Sequence, residues 1–273
     1  MLEYEIKPQD KFSFGFKELV QYNELIYYFT WRDVKVKYKQ TMLGFLWVLL
    51  QPLFMTFVFT FFLGNAISSQ TNLEIPYPVF AFSGLLIWGL FSSGLSNASN
   101  SMVNNANIIK KIYFPRLIIP ISAILSTFVD FLVTFLLFIA ILLIYNIDVN
   151  WLNLLLIPLA AIITAFSALG LGMFLAALNI KYRDVRYILP FFIQGLLFLS
   201  PIMFPTTITS NKFAAALLNW NPIAGALEIV RSVFTNYTVN INTIVFSSIS
   251  SIVIFIFGLY FFRKTESYFA DLA

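Results

Sequence analysis

Apolar and polar positions fall in long blocks along this chain rather than alternating at short period. Six mostly apolar runs lie at 44–67, 76–98, 117–145, 152–178, 187–204 and 241–262. About 20 apolar residues in a helix cross a hydrocarbon core of about 30 Å, so each run predicts a membrane-spanning helix. The third run is long enough to require tilt or a protruding end. The fifth is the shortest and holds Pro190 and Pro201, which predicts a kink. The stretch 205–236 is too long for a hairpin turn and too apolar for a solvated loop. Its two helix-length pieces break at 219–222, where Asn221-Pro222 is a turn and helix-start signal. Each piece is about half a membrane thickness, which predicts a re-entrant helical hairpin. Irregular backbone at that depth is buried in protein or lines a watery cavity. A pore entrance and an amphipathic cap on the bundle both fit.

The cations orient these elements. Lys7, Lys11, Lys17, Arg32, Lys35, Lys37 and Lys39 precede the first run, Lys110, Lys111 and Arg116 follow the second, Lys181, Arg183 and Arg186 follow the fourth, and Arg263 and Lys264 follow the last. Of 17 basic residues only Lys212 and Arg231 lie on the other side. The positive-inside rule assigns the rich side, with both termini, to the cytoplasm. The first 40 residues carry many charges and no apolar core of a cleavable signal, so the first span is expected to act as the insertion signal. Within "WRDVKVKYKQ" (31–40) and the turn before it, Tyr27, Trp31, Val34 and Tyr38 fall within about 60° on a helical wheel. Arg32, Lys35 and Lys39 form the neighbouring stripe. Such a helix suits the membrane interface, rings buried and cations near anionic headgroups. It reads either as a topology anchor alone or as an anchor that also docks a cytoplasmic partner.

The expected fold class is therefore an all-α polytopic membrane protein. A cytoplasmic segment 1–43 carries the interfacial helix, 44–262 holds six spans and the hairpin, and 263–273 is a cytoplasmic tail. Composition agrees: 59% of residues are hydrophobic and 11% charged, against about 25% charged in soluble domains. The chain has no Cys and no His, which removes disulfides, thiolate nucleophiles, imidazole bases and nearly every zinc site.

Asp130, in "ILSTFVDFLVTF", is the one intramembrane acid. A charge at that depth costs on the order of 3 kcal/mol and marks a functional candidate. Ser126, Thr127 and Thr134 lie near enough along the helix to hydrogen-bond to it, which favours a structural, bundle-facing Asp over an ion-coupling site. Glu228 and Arg231 have the spacing of a helix ion pair and read as a local brace. No G-x-x-x-x-G-K-[ST] motif is present, and "GLG" at 170–172 lies within a span. Any motor is expected on a separate polypeptide, with no cofactor or metal held by this chain.

Two cytoplasmic loops suit a partner. "NNANIIKKIYFPRLIIP" (104–120) is a short basic amphipathic helix closed by Pro115, and "NIKYRDVRYILP" (179–190) packs Lys181, Arg183, Asp184 and Arg186 into six residues. Ile108, Ile109, Ile112, Tyr113 and Phe114 are more apolar than a solvated loop requires, which favours docking over plain cytoplasmic retention. Phe54, Phe57 and Phe61 form a one-sided stripe in the first span, and Trp88 with Phe91 repeats it in the second. Such rings suit the C–H faces of a sliding sugar chain, and equally suit lipid. Ala168, Gly172 and Ala176 make a small-residue ridge for close helix contact.

In order along the chain, "KVKYKQTMLGFLWVLLQPL" (35–53), "FSGLLIWGLFSSGL" (82–95), "NNANIIKKIYFPRLIIP" (104–120), "YRDVRYILPF" (182–191), "LSPIMF" (199–204) and "NWNPIAGALEIVR" (219–231) resemble the motifs of type-2 ABC exporter permeases for polysaccharides. The resemblance implies the membrane subunit of an ATP-driven exporter of lipid-linked glycan in the bacterial inner membrane. O-antigen leads, with capsule or wall teichoic acid as alternatives. Two such subunits form the channel and two ATPase subunits, which hold ATP and Mg²⁺, lie beneath; nucleic acid has no part.

By the same resemblance, 21–40 is the interfacial helix, with Trp31, Arg32, Lys35, Lys37, Tyr38 and Lys39 near membrane lipids, lipid pyrophosphate and the motor. The coupling helix is 104–116, with Ile108, Ile109, Lys110, Lys111, Ile112, Tyr113, Phe114, Pro115 and Arg116 meeting the ATPase. Phe54, Phe57, Phe61, Trp88 and Phe91 are the candidate glycan path. The hairpin is an outer gate, with Pro201, Pro205, Trp220, Asn221 and Pro222. Asp130 maps to no family role. Export of drugs or lipids, a secondary carrier working through Asp130, and a membrane enzyme of glycan assembly are the competing readings.

Overall fold

In hydrocarbon the backbone has to satisfy its own hydrogen bonds, so apolar runs of this length become helices. A computed structural model of the protein describes residues 16–39, 44–70, 75–182, 184–206, 211–235 and 237–266. Lys7, Lys11, Arg183 and most of the 263–273 tail lie outside the described residues. Among those described, the only strand-like pairing is a single antiparallel bridge between Val149 and Phe234.

Short helix α1 (Phe16–Gln21) leads into α2 (Asn23–Lys39), the expected interfacial helix. The long helices are α3 (Leu46–Gln70), α4 (Tyr77–Asn104), α6 (Ile118–Ile144), α8 (Ile157–Lys181) and α12 (Ile241–Glu266). Each is long and apolar enough to cross a membrane. Two short helices intervene, α5 (Ala106–Ile109) in the basic loop and α7 (Trp151–Leu154) before α8. Gly44, at φ 43°, turns the chain into α3 in the left-handed region that glycine tolerates.

The fifth run departs from expectation. Its helix, α9 (Val185–Leu199), is 15 residues long, about 22 Å, so a crossing here has to include the non-helical segment 200–205 that follows it. Pro201 is the cause: the residue before a proline is pushed out of helical geometry, and Ser200 is extended at φ −102°, ψ 145°. Pro190 sits inside α9. The expected hairpin is a bent pair, α10 (Lys212–Asn219) and α11 (Ala224–Arg231), meeting at 78°.

Lipid tails are as apolar as leucine, so helices in a bilayer associate where small residues let backbones close in. The ridge on α8 does this on one face. Gly172 lies so near α4 that an added Cβ would stand 2.5 Å from the Ala98 methyl, and Ala168 borders Gly94. The opposite face of α8 meets α12, where a Cβ on Gly258 would lie 1.9 Å from the Gly170 carbonyl oxygen. Thus α8 is clasped between α4 and α12. Helix α4 is the most enclosed, with Val79, Phe80, Phe82, Ile87, Leu95 and Met102 fully buried. A smaller cluster at the basic end joins Phe29 of α2 to Met102, Ile109, Phe114 and Leu117.

A methyl at Gly258 forces α8 and α12 apart, whereas one at Gly89 enters open space. Gly258→Ala is expected to lower the thermal midpoint of the detergent-purified protein by several degrees, in line with about 1–3 kcal/mol for overpacking. Gly89→Ala is expected to stay within about 0.5 kcal/mol of the parent. Equal midpoints for the two variants would refute the α8–α12 contact.

Candidate functional site

Helix α4 exposes one strip. From 89 to 104 its accessible positions are Gly89, Ser92, Ser93, Ser96, Asn97, Asn100, Val103 and Asn104, and the rest are buried. A strip facing lipid would be apolar, and Val103 alone meets that description. The strip borders an open groove of about 410 Å³, walled by Gln51 of α3, Pro190 and Gln194 of α9, and Lys37 of α2. A narrower chamber of about 180 Å³ adjoins it between α3, α4 and α6, and shares Lys37, Gln51 and Trp88 with it. Unpartnered amides and hydroxyls are costly in hydrocarbon. This lining therefore belongs to a watery recess.

Lys37 enters the recess from α2, and it and the neighbouring Tyr38 both donate to the Asp130 carboxylate, Lys37 through its ammonium and Tyr38 through its phenol. Ser126, Thr127 and Thr134 do not serve Asp130 as the sequence suggested. Their hydroxyls donate to backbone carbonyls of their own helix, because serine and threonine in a helix reach the carbonyls of the preceding turn. The Asp130 side chain is 15% exposed and that of Lys37 is 45% exposed, so the ammonium can reach water while neutralising the acid. Burial, then the Asp130 carboxylate, hold the Tyr38 phenol well above its usual range, which keeps it a donor.

The other half of α2 grips the basic loop. Phe29, 3% exposed, packs on Phe114 with ring centroids 5.7 Å apart. The Arg32 guanidinium stacks 4.7 Å over Phe29, donates to Asp33, and reaches the Asn105 side chain at 2.8 Å. Asn105 joins α4 to α5, so Arg32 ties α2 to the start of the loop. The expected ring face is not the face that packs on protein: Tyr27 and Trp31 are exposed, with Lys35 5.4 Å over the Trp31 ring, and Phe29 is the anchor. Lys39 is exposed at the helix end.

In the loop itself, Ile109, Phe114 and Pro115 are buried and hold the loop to the bundle. This corrects the expectation that Ile109, Phe114 and Pro115 meet a partner. The outward residues are Lys110, Lys111, Ile112 and Tyr113, the last two 62% and 79% exposed, and Ile108 is half-buried. Arg116 donates to the Glu266 backbone carbonyl, joining the loop to the end of α12. In the neighbouring loop Tyr182, Tyr187 and Ile188 are also exposed.

The aromatic stripes separate. Phe54, Phe57 and Phe61 are exposed, with Phe57 and Phe61 stacked at 6.3 Å. Phe91 is buried at 2% and cannot line a passage, because α4 turns that face into the core. Trp88 is 8% exposed and borders the groove.

At the far end, Glu228 and Arg231 are both fully buried, and they do not form the direct ion pair that their spacing suggested. Arg231 donates to the carbonyls of Pro201 (2.9 Å), Ile202 (2.8 Å) and Phe204 (3.5 Å) and lies 3.9 Å over the Phe80 ring. Glu228 accepts from the Thr206 and Tyr237 hydroxyls and from the Asn240 backbone N–H. Burial pushes the Tyr237 phenol up to about 12, so it remains a donor. The segment after α9 is thus held from α11. Pro201 and Pro205 are buried there, and the Asn221 amide donates to the Ser200 hydroxyl at 3.0 Å. The Pro222 carbonyl accepts from Ser167, and Trp220 is half exposed against Phe246 at 5.1 Å. No cluster of acidic residues able to hold a metal occurs among the described residues.

Sequence reading missed Phe29, Asn105, Gln51 and Gln194, as well as the α4 strip. Polar residues at helical spacing inside a predicted span were the available signal for the strip.

A family model described as ABC-2 type transporter matches residues 24–235. An O-antigen export system permease protein, RfbA, of Klebsiella pneumoniae is 30% identical over 250 residues, covering 91% of this chain and 95% of that protein. One from Myxococcus xanthus is 27% identical over 220 residues, covering 80% and 83%. The polysialic acid transport protein KpsM of Escherichia coli is 26% identical over 243 residues, covering 86% and 91%.

Arg231 satisfies three carbonyls at once, so its loss orphans them and leaves Glu228 buried without a neighbouring cation. Arg231→Ala is expected to destabilise the purified protein by about 3–5 kcal/mol, read as a thermal midpoint in detergent. Arg231→Lys, which keeps the charge but loses the fork, should fall between. An Arg231→Ala protein as stable as the parent would remove this clamp from the account.

Proposed function

The chain belongs to the ABC-2 type transporter family, and from that membership we propose that it is the membrane permease subunit of an ATP-driven polysaccharide exporter. The observation that carries the reading is a polar strip on a helix of spanning length, in a chain that aligns with glycan export permeases over nearly its whole length. O-antigen is the first substrate to test, being the one named for the 30%-identical relatives. The exporter sits in the bacterial inner membrane with its basic end and both termini in the cytoplasm.

Two copies form the passage, and two ATPase subunits, carrying ATP and Mg²⁺, dock beneath. Helix α2 lies at the cytoplasmic interface, and α10–α11 form a re-entrant hairpin at the outer mouth. Phe54, Phe57 and Phe61 are accessible on one copy and available to line the passage between two. The ATPase meets the loop at Ile112 and Tyr113, because docking draws on exposed apolar anchors more than on rim charges. Movement there passes through Phe114, Phe29 and Arg32 into α2, whose far end holds Asp130.

Loss of the chain is expected to strip the polymer from the cell surface and leave it at the cytoplasmic face. A deletion strain with normal surface glycan would refute the reading. The Ile112→Ser/Tyr113→Ser pair is expected to reduce co-purification of the ATPase and export severalfold without changing the amount of permease in the membrane. Ile109→Ser and Phe114→Ser should instead lower the amount of permease. The reverse pattern would place docking elsewhere.

A further inference from the structure

The groove and the chamber that adjoins it have two charged groups on their walls, Lys37 in both and Asp130 in the chamber, and these are bonded to each other. Everything else polar on those walls is neutral. Gln51, Ser93, Ser96, Asn97 and Gln194 come from three helices and converge on one recess. None of their side chains has a hydrogen-bond partner among the described residues, so their amides and hydroxyls face the recess unspent. Gln194 stands in an otherwise apolar stretch of α9, between Phe191-Phe192-Ile193 and Gly195-Leu196-Leu197. An exposed glutamine has no reason to face hydrocarbon there, and facing hydroxyls it does. The indole of Trp88 borders one side and supplies apolar surface for C–H groups.

We propose that this groove is a binding subsite for uncharged sugar residues. Gln51, Ser93, Ser96, Asn97 and Gln194 hydrogen-bond sugar hydroxyls beside Trp88, and the Lys37–Asp130 pair keeps the recess electrically neutral. This rests on the reading of the chain as a glycan permease and deepens it, since it selects neutral repeat units over polyanionic ones. Neutral hydrogen bonds of this kind are each worth about 0.5–1.5 kcal/mol net and exchange readily, as a chain that must slide requires. A lone ammonium in the recess would instead hold every passing carboxylate through a bond roughly twice as strong. Asp130 removes that hold.

The chain has no native cysteine, so single thiols report on the groove directly. Ser96→Cys and Gln194→Cys are placed in the full chain in membrane vesicles, with Asn23→Cys, exposed at the start of α2, as reference. A neutral mannose oligosaccharide is expected to slow labelling of the first two several-fold, and an oligosialic acid of equal length to leave them unchanged. Equal protection by both overturns the preference for neutral sugars while the permease reading stands. Protection by neither, with both thiols labelled, removes the binding subsite and also leaves that reading, which rests on export itself. Labelling only at Asn23→Cys closes the groove to water and overturns the path with the subsite.

Charge is read separately with cationic and anionic thiol reagents at Ser96→Cys. Their rate ratio should match the reference in the parent and shift about tenfold toward the anionic reagent in Asp130→Asn. It should shift the other way in Lys37→Gln, which serves if the first variant does not accumulate, and return in the double variant. A ratio indifferent to both single changes overturns the neutralising pair.

Discussion

Lipid gives a helix no reason to prefer a neighbouring helix over an acyl chain, so the bundle is set by where backbones approach closely enough for packing to win. Helix α8 provides that approach twice. Gly170 meets Gly258 of α12 on one side, and Gly172 meets Ala98 of α4 on the other. The second contact fixes the rotation of α4. With Gly94 and Ala98 turned to α8, and Phe80, Leu95 and Met102 turned into the core, the serine and asparagine strip faces the other way. The groove is where it is because Ala168 and Gly172, one turn apart on α8, hold α4 in that rotation.

The same constraint decides what the sequence discloses. Spanning helices announce themselves by length, and five of the six runs become helices of spanning length. The small-residue ridge at 168, 172 and 176 was legible because only size explains it. The break at 219–222 was legible from Asn221-Pro222. Rotation was legible only in part. Around Phe54 helix α3 is apolar nearly all round and gives a wheel no preferred face, whereas Phe91 lies opposite the serines and asparagines of α4, which mark the groove side and leave Phe91 to the core. Phe29 was hidden for a related reason: it lies opposite the ring face that the wheel assigned to the membrane interface, and only tertiary packing singles it out.

Buried polar residues were legible as residues and illegible as pairs. Asp130 stood out, but its partners lie 92 and 93 positions away on another helix. Local spacing offered three hydroxyls instead, all already engaged with their own backbone. Glu228 and Arg231 misled in the same way. Their spacing matched a helix ion pair, while carbonyls at 201, 202 and 204 and donors from 206, 237 and 240 were the actual partners. In both places the deciding contacts come from segments far along the chain, which no periodicity records.

These long-range contacts also connect the two ends of α2. At one end Phe29 and Arg32 hold the basic loop through Phe114 and Asn105. At the other, Lys37 and Tyr38 hold Asp130 at the middle of α6, on the wall of the chamber beside the groove. Between them the helix has no proline or glycine at which to bend. Separating Lys37 from a mostly buried carboxylate would leave that charge unpaired, which costs far more than carrying the two groups together. Separating Phe29 from Phe114 would expose rings that are now buried. A displacement of the loop therefore moves α2 as a unit and is felt at Lys37. The exposed basic loop and the wall of the recess are two ends of one stiff element, and neither shifts without the other.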